Sequence, residues 1–473
     1  MLLQNHARVL CTATSLLLLH VIPSYASMCG TDESPAATLL LPYFEVNLDD
    51  PSSGNTLFTI NNAFAEPALA HVTFWTDWSH PTIDFDVFLT GYDVLQVNLG
   101  DIFMTGNLPI TADLQSDPQD LISPHGGYRS DDGYISNPRP EWDGSFQECQ
   151  DFFPFYSNPM VRGQIFGLMV NGHTGQPVTL VEDACLGADL GDNIARGYIT
   201  IDRVNRCSVV FPSEQDRGYF AADGTGIASN VNQLWGDWFF VDRYNGFAHG
   251  DSLVHIEALD GFDAVGDGTS DATVPDPATG YTFFGRYTAA GEDNREPLGI
   301  TWATRYLNND TFSPGGTDLY VWRDATVDES GPEFDGYSCG NPGSANAGPN
   351  WHPLDESNVL AFDEYENVVE LCAPTGCPFC LSPPVSINPH CFPVASQKMS
   401  SENLAFEGWA PPWGAGWLFV DLRLPGDDGS FDGLSQSYVS AVHSAQGLFS
   451  VGLPAVELSS ACSTFDDSQI PDV

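Results

Sequence analysis

Short stretches that alternate apolar and polar side chains recur along this chain at a spacing of roughly ten residues, the rhythm of an antiparallel sandwich. In 56–61 the alternation puts Phe58 and Ile60 on one face of a pleat. Ala70, Val72 and Phe74 share a face in 68–76, and Phe85, Val87 and Leu89 share one in 83–90. A strand at 94–98 follows a Gly-Tyr-Asp turn. The pattern returns at 197–202, 238–242, 252–258, 281–287 and 318–322, then at 416–424, 438–443 and 448–451. With 45 Gly and 34 Pro, turns are frequent and long helices disfavoured. Residues 296–307 read equally as a short helix or a strand.

The expected fold class is therefore all-β (β-dominant), with antiparallel sandwich-like domains and disulfide-stapled irregular loops. Eleven Trp, sixteen Tyr and thirty Phe can fill such cores. Composition suggests an N-terminal β-sandwich domain at 27–135 and a middle β-rich domain at 136–325. A Cys/Pro/Gly-rich region with C-terminal strands would occupy 326–473. One internal echo stands out. Trp235-Gly236-Asp237-Trp238-Phe239-Phe240-Val241-Asp242 resembles the stretch from Trp413 to Asp421, either as two related β units or as a coincidence of aromatic strands.

Charge sets the function classes. Sixty-three Asp and Glu face fifteen Lys and Arg, a formal charge of -48, and Lys398 is the one lysine. Such a chain is repelled by nucleic acid and by anionic membrane surfaces, so neither is an expected partner. High salt or divalent cations suit it. Residues 1–26 read as a signal peptide. Arg8 supplies the positive start, 10–22 is a short apolar stretch, and small residues precede a cleavage point after Ala26. The expected location is exported: periplasm, cell surface or extracellular medium.

Ten cysteines remain after that point: Cys29, Cys149, Cys185, Cys207, Cys339, Cys372, Cys377, Cys380, Cys391 and Cys462. An even count in an exported chain points to disulfides. Cys372, Cys377, Cys380 and Cys391 also have the grouping of a zinc site, a reading that an oxidising compartment disfavours. Cys185 and Cys207 bracket one expected strand and form the best single candidate bridge. A Cys29–Cys462 bridge would tie the termini.

The opening Leu39-Leu40-Leu41-Pro42-Tyr43-Phe44 is followed by Asn61-Asn62 and by Asp84-Phe85-Asp86-Val87-Phe88-Leu89. These pieces resemble a group of uncharacterised secreted bacterial proteins with an L-x-P-Y-F opening and a DF-x-V-Y-L strand. Gly250 to Ala258, Arg295-Glu296-Pro297-Leu298 and Trp302 to Tyr306 carry the same resemblance. It implies a bacterial, exported, β-rich protein, and brings no catalytic residue with it.

No Gly-x-Ser-x-Gly, His-Glu-x-x-His, P-loop or dinucleotide fingerprint occurs. Asp84 and Asp86 share a strand face, as an acid/base or metal pair or as the solvated side of an amphipathic strand. Asp251, Leu253, His255 and Glu257 fall on one face of an expected strand, where His255 and Glu257 could bind a transition metal. Calcium is the expected cofactor if there is one. Asp260, Asp263, Asp267, Asp271 and Asp276 crowd one Gly-rich loop, and Asp427, Asp428 and Asp432 another, each also readable as a plain acidic loop. Trp75, Trp78, Trp409, Trp413 and Trp417 could stack on sugars or fill cores. The expectation is a non-enzymatic surface, matrix or binding protein, calcium-stabilised and self-assembling, with envelope components or glycans as other partners. The alternative is an extracellular carbohydrate-binding protein or carbohydrate-active enzyme.

Overall fold

A computed structural model describes residues 34–106, 108–109, 159–213, 218–221, 223–258, 283–284, 293–308, 315–323, 339, 359–370, 396–400, 413–422, 424–425, 431–432, 436–445 and 449–460. The fold is β-dominant, with several antiparallel sheets. The first run of strands is β1 (Thr38–Asn47), β2 (Asn55–Asn62), β3 (Ala68–Trp75), β4 (Pro81–Leu89), β5 (Val94–Asn98), β6 (Ile194–Arg203), β7 (Leu234–Trp235), β8 (Asp237–Asp242), β9 (Phe247–Ser252) and β10 (Val254–Ile256). Helix α1 (Leu99–Thr105) follows β5, and α2 (Pro159–His173) precedes β6. The second run is β11 (Gly299–Leu307), β12 (Gly316–Arg323), β13 (Val359–Phe362), β14 (Val368–Glu370), β15 (Ser396–Ser400), β16 (Ala415–Asp421), β17 (Leu424–Pro425), β18 (Phe431–Asp432), β19 (Ser437–Ala445), β20 (Phe449–Pro454) and β21 (Val456–Ser460). The ambiguous stretch at 296–307 is thus a strand from Gly299 onward.

Each run folds into two facing sheets. In the first, β10-β1-β6-β3-β4 faces β5-β2-β8-β9, with β7 added beside β2. Leu39, Leu41, Val72, Phe74 and Ile201 of one sheet meet Phe58, Ile60, Val97 and Trp238 of the other in one buried cluster. In the second, β14-β13-β16-β11-β21 faces β15-β12-β19-β20. Trp302, Leu418 and Val420 meet Leu319, Val321, Val439 and Ala441 in its interior. Ladders of the first run cross the 135/136 position and those of the second cross 325/326, because antiparallel sheets pair strands far apart in sequence.

The two units are the same architecture twice. Replacing β1, β2, β3, β4, β5, β6, β8, β9 and β10 by β11, β12, β13, β14, β15, β16, β19, β20 and β21 turns each first-unit strand order into its second-unit counterpart. The registers agree. Thr38 lies opposite Asp202, and Thr301 opposite Asp421. Gly197-Tyr198-Ile199-Thr200-Ile201-Asp202 is therefore the counterpart of Gly416-Trp417-Leu418-Phe419-Val420-Asp421. A Cβ on Gly197 would sit 2.1 Å from the Trp75 carbonyl oxygen, and one on Gly416 would sit 1.9 Å from that of Phe362. Trp75 and Phe362 are themselves counterparts, so both units need glycine for the same close approach. The β3–β4 turn repeats as well. Ser79 (φ 60°) donates its N–H to Thr76 O, and Glu366 (φ 64°) donates to Asp363 O. The echo between 235–242 and 413–421 joins β8 to β16, which are not counterparts; the matching segment of β16 is β6.

The units differ where Pro42 stands. Pro42 has no N–H for the ladder, so the β1–β6 pairing slips between Leu41 and Phe44. The bulge leaves Tyr43 buried against the second unit, its ring stacked 5.2 Å from Tyr320.

A disulfide joins Cys185, beside the β3–β4 turn, to Cys339, between β12 and β13, with 5.0 Å between their Cα atoms. The expected Cys185–Cys207 bridge is thereby corrected. The ten residues of β6 run between those two cysteines, and a strand that long holds its ends roughly 30 Å apart. Cys207 is bridged elsewhere. Cys29, Cys149, Cys372, Cys377, Cys380, Cys391 and Cys462 lie outside the described residues. The Cys185–Cys339 bridge closes a loop of 154 residues. On chain entropy, the double variant Cys185→Ser/Cys339→Ser should lose up to about 5 kcal/mol. Urea unfolding checks this, and an unchanged midpoint would show the bridge to be stability-neutral.

Candidate functional site

Two places gather chemistry-bearing side chains, and both grow from register. In the first unit, Asp86 of β4 lies opposite His71 of β3, and His71 opposite Asp202 of β6, which faces Thr38 of β1. Opposed residues share a sheet face. All four sit on the face turned away from the sandwich core. Val204, Tyr219, Phe220, Ile227, Ala228, Phe283 and Phe284 belong to the apolar layer that continues from there into the second unit's core.

His71 Nδ1 donates to Asp86 Oδ1 at 2.8 Å, and its Nε2 lies 3.6 Å from Asp84 Oδ2. Asp86 Oδ2 accepts from the Ser208 N–H at 3.0 Å. Asp202 accepts from the Thr38 hydroxyl and, at 2.8 Å, from the Tyr219 hydroxyl. Arg295 Nε donates to Thr38 Oγ1 at 2.9 Å, and its Nη2 to Ser229 O. Burial alone would lower the His71 pKa. Asp86, then Asp84 and Asp202, outweigh it and push His71 up to about 9. Burial raises Asp202 against the pull of Arg295. Asp86, His71, Asp202 and Arg295 are all buried, and Asp84 at the end of the row is partly exposed. The amphipathic-face reading of Asp84 and Asp86 is corrected: Asp86 is an interior ion-pair partner.

The second place is the junction of the two units. Tyr320 of β12 points out of its own sandwich and joins the first unit's core cluster together with Val442 of β19. Its hydroxyl donates to His249 Nε2 at 2.9 Å, and the two rings stack at 5.4 Å. Trp238 meets both rings edge-on. Burial, then Lys398, lowers His249 to about 3, so the imidazole stays neutral. Lys398 of β15 reaches Glu45 of β1 at 3.5 Å and Asp318 of β12 at 3.7 Å, with its ammonium over the Phe240 and Tyr320 rings. Burial pulls Lys398 down, but Glu45 and Asp318 raise it overall. The one lysine is thus a cross-unit clamp held by two carboxylates and two ring faces.

The other sequence candidates disperse. Asp251 and His255 stand on different sheets, because the chain passes from β9 in one sheet to β10 in the other at Leu253. The expected face of Asp251, Leu253, His255 and Glu257 is therefore split between two sheets, and His255 is buried beside Trp235. Asp260, Asp263, Asp267, Asp271, Asp276, Asp427 and Asp428 lie outside the described residues. Asp432 pairs with Leu424 in the small β17–β18 hairpin. Among the described residues no group of three His, Cys, Asp or Glu is arranged to hold a metal ion. Trp75 and Trp78 are buried. Trp417 is 38% exposed and lies under the Arg305 guanidinium at 4.7 Å. Trp409 lies outside the described residues. Sequence reasoning missed Tyr320, Lys398 and His249, whose meeting depends on the docking of two units that no local pattern encodes.

No helix among the described residues is long and apolar enough to cross a membrane. No family model, curated protein or solved structure matches this chain.

The His71 row makes a signed prediction. Its folded pKa of about 9 exceeds the ordinary 6.5, so its contribution is complete below pH 6.5 and is lost as pH rises through 9. The contribution is on the order of 3 kcal/mol. Comparing wild type with His71→Gln by denaturant unfolding from pH 6 to 10, the stability gap should narrow towards alkaline pH. A gap independent of pH would show His71 to be neutral in the fold.

Proposed function

We propose that this chain is an exported, non-enzymatic bacterial surface, matrix or binding protein. One observation carries the reading: a set of titratable groups among the described residues, His71 with Asp86, Asp202, Tyr219 and Arg295, is buried within the fold and linked mainly to its own members and to neighbouring Thr38 and Ser229. Such a row rigidifies a sheet rather than meeting a substrate. The cross-unit disulfide and the Lys398 clamp support the same reading, since both hold two sandwiches in one orientation. The proposal includes calcium at the acidic loops of Asp260 to Asp276 and Asp427 to Asp432, on the density of carboxylates alone.

A second reading, carbohydrate binding, rests on a specific patch. Trp417 and Arg305 stack on the outer face of the second unit. Arg305 pairs with Glu364 at 2.9 Å, and the exposed Tyr365 stands on the adjoining turn. An exposed indole beside charged donors and acceptors is the chemistry of sugar stacking.

Two measurements test these readings. Incubated with a broad glycan panel, the oxidised chain should release no product; turnover abolished by a single carboxylate substitution would overturn the non-enzymatic reading. Binding lost on Trp417→Ala without turnover would favour the second. Melting temperature should rise more with calcium than with monovalent salt of equal ionic strength. Equal responses would remove calcium and leave general screening.

A further inference from the structure

The repeat makes the internal junction a template. At that junction the outer face of the second unit's four-stranded sheet, carrying Tyr320 and Val442, covers the flank of the first unit where β9 presents His249 and Phe247. Aligning Thr56 with Thr317 makes Phe239 the counterpart of Val442 and Thr59 that of Tyr320. The same registers pair Phe247, His249 and Asp251 with Phe449, Val451 and Leu453. Gly250 and Gly452 become counterparts as well, and a Cβ on Gly452 would lie 2.7 Å from Gly250 O.

Each unit therefore owns one covering face and one coverable flank, and the internal junction uses one of each. The first unit's outer face and the β20 edge keep exposed apolar side chains, although β20 also meets β9 in the internal junction, where Ser450 Oγ donates to Ala248 O and Gly452 abuts Gly250. On the first unit's outer face Phe239 is 48% exposed and Val94 65%. On the second unit's flank Phe449 is 70% exposed, Val451 49% and Leu453 46%. His249, the counterpart of Val451, is buried, with Tyr320 of the second unit stacked on it beside the first unit's Trp238, Phe240 and Phe247.

We propose that the first unit's outer sheet face of one molecule docks on the β20 flank of a second copy, extending the internal junction into a head-to-tail, open-ended assembly. The inference rests on the non-enzymatic surface or matrix reading and names its partner. The contact is heterologous, so it grows chains rather than closed dimers. It is weaker than the internal junction, because Thr59 replaces the Tyr320 anchor. Gln96 stands where Lys398 does, and Leu307 where Glu45 does, so no ion pair crosses it. Apolar contact between molecules of charge -48 has to work against repulsion, and monovalent salt strengthens it by screening.

The test uses the full oxidised chain and sedimentation velocity over a range of concentration and sodium chloride. Wild type should show average mass rising with both, without a plateau at the dimer. Phe239→Asp and Val451→Asp should each weaken association about tenfold or more. Mixed together they should form a capped heterodimer, since each retains the face the other lacks. Both side chains are exposed, and unchanged melting temperatures confirm folding; Phe449→Asp replaces Val451→Asp if that variant melts early. A wild type monomeric at every salt concentration, a variant that assembles normally, or a mixture without heterodimer overturns the proposal. None of these touches the functional reading, which fails instead if the chain turns over a glycan.

Discussion

Tyr320 belongs by sequence to one sandwich and by packing to the other, and the arrangement of the molecule depends on that exchange. Its ring closes the first unit's core against Tyr43 and Trp238, while its hydroxyl hydrogen-bonds Nε2 of a histidine that burial keeps neutral. Pro42 makes this possible. A bulge in β1, the strand that also carries Glu45, turns Tyr43 toward the partner unit, and the stacked pair forms where a regular ladder would have kept Tyr43 in register. Lys398 then bridges the units at the rim of this aromatic seam, pairing with a carboxylate from each.

The buried charges follow from the same packing. A histidine and two aspartates in one row across a sheet would destabilise an exposed face little and an unpartnered interior greatly. Here the covering layer arrives with its own partners. Ser208 and Tyr219 supply donors, and Arg295, at the entry to the second unit, approaches through Thr38. The second unit thus begins by completing the polar interior of the first.

Much of the secondary structure is legible from the alternating pattern. The strands at 56–61, 68–76, 83–90 and 197–202 emerge where Phe58, Val72, Phe85 and Ile201 mark an inner face, because half-burial imposes a period of two. What the pattern cannot carry is pairing. The duplication is hidden because few side chains persist between the copies, Thr38 with Thr301 and Asp202 with Asp421 among them, while backbone requirements do. A glycine stays where a carbonyl crosses, at Gly197 and Gly416, and a left-handed residue stays at a turn, at Ser79 and Glu366. Side chains elsewhere have diverged under different cover: Tyr198 is buried beneath Trp322, while its counterpart Trp417 faces solvent. A sequence comparison weighted by aromatic residues therefore joins β8 to β16, whereas the backbone joins β6 to β16. Asp86 misleads for a related reason. Alternation shows that it shares a face with Asp84, but only the covering layer decides whether that face meets water.

Few cations are available to this chain, and their placement argues against a general electrostatic role. Arg203, Arg295 and Arg323 are buried, and Lys398 is held in the seam between units. Of these, Arg203 and Arg295 donate to interior carbonyls, and Lys398 serves the carboxylates and rings of the seam. The surface is consequently more uniformly acidic than the composition alone implies. Ion pairs inside low-dielectric surroundings are screened little by salt, whereas repulsion across an acidic surface is screened strongly. Rising ionic strength should therefore relieve repulsion between units and between molecules without weakening the contacts that hold the fold. A chain organised in this way gains cohesion as salt increases, and apolar faces such as Phe239 and the β20 flank become adhesive under the conditions that its charge favours.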